Sequence, residues 1–479
     1  MSSDHSNSNL WRAPFAPASP LNATITIPGS KSMMARVLIL AALSSSPTLI
    51  RRPLISRDSE LMRDGLRALG VTIEEMEGAW RVTPARASAT ASASKVSTKQ
   101  QRATIDVGNA GTVMRFLPPV AALSHGEFHF DGDERSHDRP IAPVIRALES
   151  LGVQIDHEGR YAFPFTIHGS GHLRGGEIEI DASLSSQFVS SLLLAASAME
   201  DGLTIRHVGA SLPSLPHIEM TVAMLKEIGV EVEEGQWWWK VQTRSADSEE
   251  RIVEIEPDLS NAAAFLAAAL LIGGTVAIND WPINTTQPGD ALREIFAKLG
   301  GTFSRPKQVN SAGKVRELST PLQMSASGDR ADIHGIDIDL SEVGELTPTI
   351  AALAAFASSP SHLRGIGHLR LHETDRLTAL ATELRKVGAT VEEGDDYLKI
   401  DPAKVLPKGP ITIATYDDHR IATLGALVGL MIEGALVENI ATTRKTITDF
   451  PALWNQLLTD AREDSNQAQP KTQKESQER

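Results

Sequence analysis

Residues 185–205 read SSQFVSSLLLAASAMEDGLTI, and the reading of this stretch decides the fold. Polar residues stand first, an Ala/Leu-rich helix follows, a Gly turn closes it, and a short β-type run ends the stretch. The same order returns from Ser30 (SKSMMARVLILAALSSSPTLI), Ala110 (AGTVMRFLPPVAALSHGEFHF), Ser260 (SNAAAFLAAALLIGGTVAI), Glu345 (ELTPTIAALAAFASSPSHL) and Asp417 (DDHRIATLGALVGLMIEGALV). Successive starts lie 80, 75, 75, 85 and 72 residues apart. A second helix keeps the same period. LRALGVTI from Leu66, LESLGVQI from Leu148, LKEIGVEV from Leu225, FAKLGGTF from Phe296 and LRKVGATV from Leu384 each place Gly where a helix should end. Gly is the natural left-handed cap, and the β-branched residues after it mark a strand. Each unit of about 75 residues therefore predicts two helices alternating with strands, an α/β (α+β) pattern. One unit cannot bury its helix faces alone, so six units are expected to stack around shared cores, most simply as two domains of three.

Composition sets the outer limits. The chain has 479 residues, 41% of them apolar and only 5% aromatic, so the core must be mainly Ala, Leu, Ile and Val. Cys is absent, which excludes disulfides, thiolate metal sites and cysteine nucleophiles. A net charge of −14 argues against nucleic acid or an anionic membrane as partner, although small anions can still bind where basic residues converge. The N-terminal MSSDHSNSNLWRAPFAPASP lacks the form of a secretory signal, and apolar runs such as AAAFLAAALLI from Ala262 are too short to span a bilayer. A soluble, cytoplasmic enzyme is expected. The Ala/Ser/Lys-rich Ala85–Gln101 stretch and the polar insertions from Thr243 and Ser304 read as exposed loops, and residues 459–479 as a disordered tail.

The polar clusters that open the repeats carry the chemistry. The first offers Lys31, Ser32 and Arg36, the second Asn109, Thr112 and Arg115, the third Ser185, Ser186 and Gln187, and the sixth Asp418, His419 and Arg420. A helix N-terminus presents unpaired N–H groups and a positive dipole end, which suit phosphate and carboxylate. A single Ser or Asn there is more often an ordinary cap. Lys and Arg in a first turn oppose the dipole, however, and their recurrence points to an anionic ligand. Arg139 lies in a loop after a strand, Glu373 and Arg376 share a helix face one turn apart, and Lys445 follows later. Each has a bland reading as a solvated charge or a local pair; together they describe a cleft for anions. The Lys31 stretch is not a P-loop, because Ser30 separates Gly29 from Lys31 and the earlier glycine is missing. Nothing in the sequence requires a nucleotide cofactor or a metal, and none is expected.

IPGSKS (27–32), GNAGTVMR (108–115), DRPI (138–141), SSQF (185–188), HETDRL (372–377), YDDHR (416–420) and KTITDFP (445–451) stand in the order found in the EPSP synthase (3-phosphoshikimate 1-carboxyvinyltransferase) family, which the chain resembles over roughly residues 22–458. The resemblance implies two domains, each a pseudo-threefold assembly of βαβαββ repeats, with the active site in the cleft between. Residues 1–29 with 257–458 would form one domain and 30–256 the other, the chain crossing near Pro28–Ser30 and Glu256–Asp258. It also implies transfer of the enolpyruvyl group of phosphoenolpyruvate to shikimate 3-phosphate, with no cofactor, by a monomer. Shikimate 3-phosphate would meet Lys31, Ser32, Arg36, Ser185, Ser186, Gln187 and Ser214, with His217, Glu345, His368 and His372 beside it. Phosphoenolpyruvate would meet Lys31, Asn109, Gly111, Thr112, Arg139, Gln187, Arg376, Arg420 and Lys445. Lys31, Glu345, Glu373 and His419 would be catalytic. His217, His368, His372 and Glu345 depart from the Tyr, Asn, Lys and Asp common in the family. Gly111 is retained where some relatives carry a bulkier residue that excludes the herbicide glyphosate, so sensitivity is implied. The rivals are a UDP-N-acetylglucosamine enolpyruvyl transferase, whose usual Cys is missing here, and a non-catalytic anion- or RNA-binding scaffold of the same fold.

Overall fold

The computed structural model describes residues 9–85, 101–245, 249–305 and 320–467, with side chains as far as Thr459. Residues 86–100 of the expected Ala/Ser/Lys loop, 246–248 and 306–319 of the two polar insertions, and 468–479 of the expected tail lie outside the described residues.

The repeat is plainest in the second unit. Strand Gln101–Asp106 leads to helix Gly111–Ala122, strand His125–Asp131, helix Ala142–Ser150, and strands Gln154–Asp156 and Phe165–Ser170. The first two strands pair in parallel, and the last two add antiparallel, Phe165–Ser170 lying inside and Gln154–Asp156 at the edge. Parallel neighbours need a crossover, and the Ala/Leu-rich helix supplies it. The third unit, from Gly176–Ile180 to Trp238–Val241, and the fifth, from Asp337–Asp339 to Leu398–Asp401, repeat this order. In the first unit the opening strand is supplied by Arg251–Glu254, which lies parallel to Thr48–Arg51. In the fourth, Leu21–Ile25 pairs in parallel with Gly274–Trp281. The sixth is a three-stranded variant, in which Leu10–Arg12 closes against Leu436–Glu438.

The crossover helices lie inside and the sheets outside. Helices Lys31–Ala42, Gly111–Ala122 and Gln187–Ala196 pack on one another, as do Leu259–Ile272, Thr347–Phe356 and His419–Met431. Gly111–Ala122 is buried at every position. Contact with neighbours on all sides leaves no polar face, which is why these segments are rich in small and aliphatic residues. The second helix of each of the first five units packs on its own sheet, and in the first two also on the next unit's edge strand, Arg57–Ala68 on Gln101–Asp106 and Ala142–Ser150 on Gly176–Ile180. Gly70, Gly152, Gly229, Gly300 and Gly388 end these helices with φ of 90°, 88°, 81°, 106° and 97°, the left-handed conformation their position demanded. Two separate cores result. One contains residues from Leu21 to Ile27 and from Leu259 to Leu458, the other residues from Met34 to Ile255.

Helix Phe450–Gln467 differs from expectation, since it runs past Leu458 into the segment read as a disordered tail. Trp454, Leu457 and Leu458 are buried and anchor it; extending an anchored helix needs no new nucleus, so a polar sequence can continue it. No helix among the described residues is long and apolar enough to cross a membrane.

Candidate active site

The two cores meet at a narrow double crossing. Ser30 N–H donates to the Glu256 carbonyl at 2.7 Å and Asp258 N–H to the Pro28 carbonyl at 2.9 Å. A Cβ on Gly29 would lie 2.9 Å from Ile255 Cγ2 and 3.0 Å from the Arg52 carbonyl, so no other residue passes there undisturbed. Asp258 joins two helix starts: its Oδ1 accepts from Asn261 N at 2.9 Å and its Oδ2 from Lys31 N at 3.2 Å. Gln287 holds the second strand of the crossing, donating to Glu256 Oε2 at 2.7 Å and to the Pro257 carbonyl at 2.9 Å.

Above this crossing opens a cleft with about 1110 Å³ of empty volume, including its mouth. Inner helices of both cores present their N-termini to it. Among the residues expected at the site, the core of residues Met34–Ile255 lines it with Lys31, Ser32, Gly111, Thr112 and Arg139, and with Ser185, Ser186, Gln187, Ser214 and His217. The other core lines it with Glu345, His368, His372, Glu373, Arg376, His419 and Arg420. Arg36 is not on the wall. It is buried, donating to Thr221 Oγ1 (2.8 Å), the Ser32 carbonyl (2.8 Å) and the His217 carbonyl (2.9 Å), so it braces two wall segments from behind. Asn109 and Lys445 stand just behind the surface: the Asn109 carbonyl accepts from both Lys445 Nζ (2.9 Å) and Arg139 (2.8 Å).

Two carboxylates sit among these cations. Glu373 accepts from Lys445 Nζ at 2.7 Å through Oε1 and from Arg376 at 2.9 Å through Oε2. Burial pushes this carboxyl up, but Lys445, Arg376 and Arg139 outweigh it and hold it well below the usual carboxylate range. Glu345, in the short 3₁₀ turn Gly344–Leu346, lies 3.4 Å from His217 Nε2 and from Ser260 Oγ. Burial again raises it, and His217 with Arg420 brings it to about 2. Lys31 Nζ lies 3.5 Å from Asp58. Burial lowers its pKa, with Lys445 and Arg420 adding to the effect against Asp58 and Glu373. Burial also lowers His368, to about 4, and holds His372 and His419 well below the ordinary value, with Arg376 helping at the former and Lys31 at the latter. His419 Nδ1 and His368 Nε2 are buried without a hydrogen-bond partner. Among the described residues no group of three or more His, Asp or Glu side chains is arranged to hold a metal ion.

This geometry can hold two small polyanions side by side, with two carboxylates within reach of both. The family model for EPSP synthase (3-phosphoshikimate 1-carboxyvinyltransferase) matches residues 15–456. The chain belongs to the EPSP synthase family. It is 46% identical over 464 residues to a 3-phosphoshikimate 1-carboxyvinyltransferase of Kocuria rhizophila, covering 95% of this chain and 98% of that one. Its fold is that of the EPSP synthase of Acinetobacter baumannii, at a TM-score of 0.72 and 22% identity over 94% of this chain and 98% of the other. The enolpyruvyl transferase NikO of Streptomyces tendae is similar in fold, at 0.70 and 17% over 94% and 97%.

Within this EPSP synthase family site, several wall residues carried no decisive sequence signal. Arg115 was legible as a first-turn cation, and it lines the cleft, donating to Gln187 Oε1 at 3.3 Å. Asp58, the partner of Lys31, and Gln287 carried no motif, and Ser260 was legible only as the start of the fourth repeat. Their place follows from how the units stack.

Proposed function

We propose that this chain transfers the enolpyruvyl group of phosphoenolpyruvate to the 5-hydroxyl of shikimate 3-phosphate. The observation that carries the reading is the cluster of Lys31, Arg115, Arg139, Arg376, Arg420 and Lys445 around Glu345 and Glu373 in one cleft between two cores. Six cations can neutralise two phosphates and two carboxylates, and two carboxylates can move the protons. In this reading Lys31, Arg139, Gln187, Arg376, Arg420 and Lys445 surround phosphoenolpyruvate, with Gly111 and Thr112 beside it. Ser32, Ser185, Ser186, Ser214, His217, His368 and His372 surround shikimate 3-phosphate.

C3 of phosphoenolpyruvate takes a proton, C2 becomes electrophilic, and the 5-hydroxyl adds there while Glu345 accepts its proton. The tetrahedral adduct then returns the C3 proton and expels phosphate, which leaves as hydrogen phosphate with the hydroxyl proton, so the enol ether forms and both carboxylates are restored. Glu373 is the partner at C3. Its low pKa reflects direct pairing with Lys445 and Arg376, the latter shared with Asp418. Phosphoenolpyruvate draws those cations toward itself, so the Glu373 carboxyl rises toward the range where it can pass a proton.

The reading includes a cytoplasmic monomer without cofactor, and domains of residues 1–29 with 257–458 and of 30–256, which the two cores support. Release of inorganic phosphate tests it, measured from phosphoenolpyruvate with shikimate 3-phosphate, with UDP-N-acetylglucosamine and with neither. Release with the first alone is expected, and release only with the second, or none, rejects it.

A further inference from the structure

Glu383 is a carboxylate outside the cleft with no part in the chemistry above, yet it is wholly buried. It projects from helix Arg376–Lys386, two turns beyond Arg376. Its oxygens accept from Tyr416 Oη (2.7 Å), Ala414 N (3.2 Å) and Lys386 Nζ (2.7 and 2.9 Å), and Lys386 Nζ also donates to the Thr412 carbonyl (3.1 Å). One carboxylate and its lysine thus hold the segment from Thr412 to Tyr416. Burial, together with Glu383, pushes the Tyr416 phenol up to about 12, so it stays a donor.

The next two residues are strained. Tyr416 and Asp417 have φ of 53° and 54°, consecutive left-handed positions occupied by a bulky aromatic and an acid. Such backbone persists only where its surroundings over-determine it, and it is often tied to function. The loop is gripped from the far side as well. Asn439 Nδ2 donates to Asp417 Oδ1 at 2.6 Å, and Thr442 Oγ1 to the Asp417 carbonyl at 2.8 Å. Asn439 precedes, and Thr442 lies within, the short helix Ile440–Lys445, so the loop is tied to the element that carries Lys445. Asp418 follows directly, accepting from Arg420 N at 2.8 Å and from Arg376 Nε at 2.7 Å. Arg376, Arg420 and Lys445 sit on three elements; Glu373 bridges Arg376 and Lys445 within the cleft, and this loop ties the elements a second time. The strained loop touches all three.

We infer that Glu383 is a positioning residue, which through Tyr416 and Asp417 fixes the mutual placement of the three cations that receive phosphoenolpyruvate. The inference rests on the substrate reading above. Loosening the loop should therefore cost recognition of phosphoenolpyruvate chiefly, because the groups assigned to shikimate 3-phosphate sit on other elements and, of its histidines, His372 alone is hydrogen-bonded to one of the three cations, Arg376 at 3.1 Å.

The test compares Tyr416→Phe, Thr442→Val and Glu383→Gln with the wild type, measuring KM for each substrate, kcat and the thermal midpoint. Tyr416→Phe and Thr442→Val each delete one hydroxyl and are expected to fold. Both should raise KM for phosphoenolpyruvate roughly 5- to 30-fold, the range expected from losing one positioning contact. KM for shikimate 3-phosphate should stay within about twofold. Glu383→Gln should show a larger effect of the same kind. If Tyr416→Phe and Thr442→Val keep the wild-type KM for phosphoenolpyruvate, or raise both KM values equally, the positioning role is wrong. A lower midpoint with unchanged KM would likewise reduce Glu383 to a stabilising group and overturn it. A wild type inactive with both substrates would instead refute the substrate reading itself.

Discussion

Glu373 is the residue on which most of the cleft's charge converges, since Lys445, Arg376 and Arg139 all bear on its carboxyl. Glu373→Gln keeps the shape and removes both the charge and the proton. It should lower kcat about 10²- to 10⁴-fold with an unchanged far-ultraviolet spectrum, the range set by loss of a general acid–base. A loss under tenfold would free Glu373 from the mechanism. Gly111 makes a different kind of claim. A Cβ there would lie 2.9 Å from guanidinium nitrogens of Arg115 and Arg139 and 3.1 Å from Gln187 Oε1. Gly111→Ala should therefore raise KM for phosphoenolpyruvate about tenfold, by pushing aside groups whose positions count to within an ångström; an unchanged KM would show that these side chains yield at no cost. The histidines give the pH dependence. His368, lowered by burial to about 4, and His372 and His419, lowered well below the ordinary value, stay neutral in the folded protein while the unfolded chain protonates below about 6.5. The unfolded state then binds more protons, so stability rises with pH through this window, by up to about 1.4 kcal/mol per pH unit for each histidine. The thermal midpoint should fall between about pH 7 and pH 5, and fall less in His368→Asn; an equal fall would clear His368. Glu373 and His419 were legible in sequence as polar groups at helix starts, whereas Gly111, His368 and His372 followed from the family resemblance. Their partners were not: Lys31 and Asp58 pair across two helices, and Arg36, one turn further along the same helix as Lys31, is taken up by four protein acceptors.

At the scale of elements, legibility followed period and capping. Five helix-ending glycines adopt the positive φ their sequence position implied, and Ala/Leu-rich segments became inner helices. What the period could not show was strand exchange. Arg251–Glu254 completes the first unit from some 200 residues away, and Leu21–Ile25 completes the fourth, because a strand's hydrophobic pattern names a face but not a neighbour. Inner helices also carry a prediction that reverses a general rule. Gly in a helix is ordinarily improved by Ala, by about 1 kcal/mol. Gly429, inside helix His419–Met431, would place a Cβ 2.3 Å from the Cβ of Ala13. Neither atom can rotate away, so helix and N-terminal segment must separate. Gly429→Ala should destabilise the protein by about 1–3 kcal/mol in denaturant unfolding. Stabilisation would mean that the Ala13 segment contributes little to this core.

The whole molecule is two cores that bring like charges face to face. Lys31 belongs to one core, Lys445 and Arg420 to the other, and both of the latter depress Lys31 across the cleft. Each core is well packed by itself, while a two-strand crossing and the cleft rim join them, so relative motion is the expected soft degree of freedom. Across the cleft Glu373 attracts Lys31 and Arg139, which offsets part of the repulsion of Lys31 by Lys445 and Arg420. Two polyanionic substrates add to the attraction, since each can be bridged by cations of both cores, and closure then excludes water from the reacting centre. Phosphoenolpyruvate and shikimate 3-phosphate together should reduce the radius of gyration in small-angle scattering. They should also raise stability by about 2.7 kcal/mol at one hundred times Kd, the amount that mass action alone provides. Inorganic phosphate at equal ionic strength satisfies single cations without bridging the cores, so it should stabilise without compacting. If saturating substrates leave the radius unchanged while still being turned over, the cores are already in their working arrangement and the repulsion across the cleft is borne by the static fold.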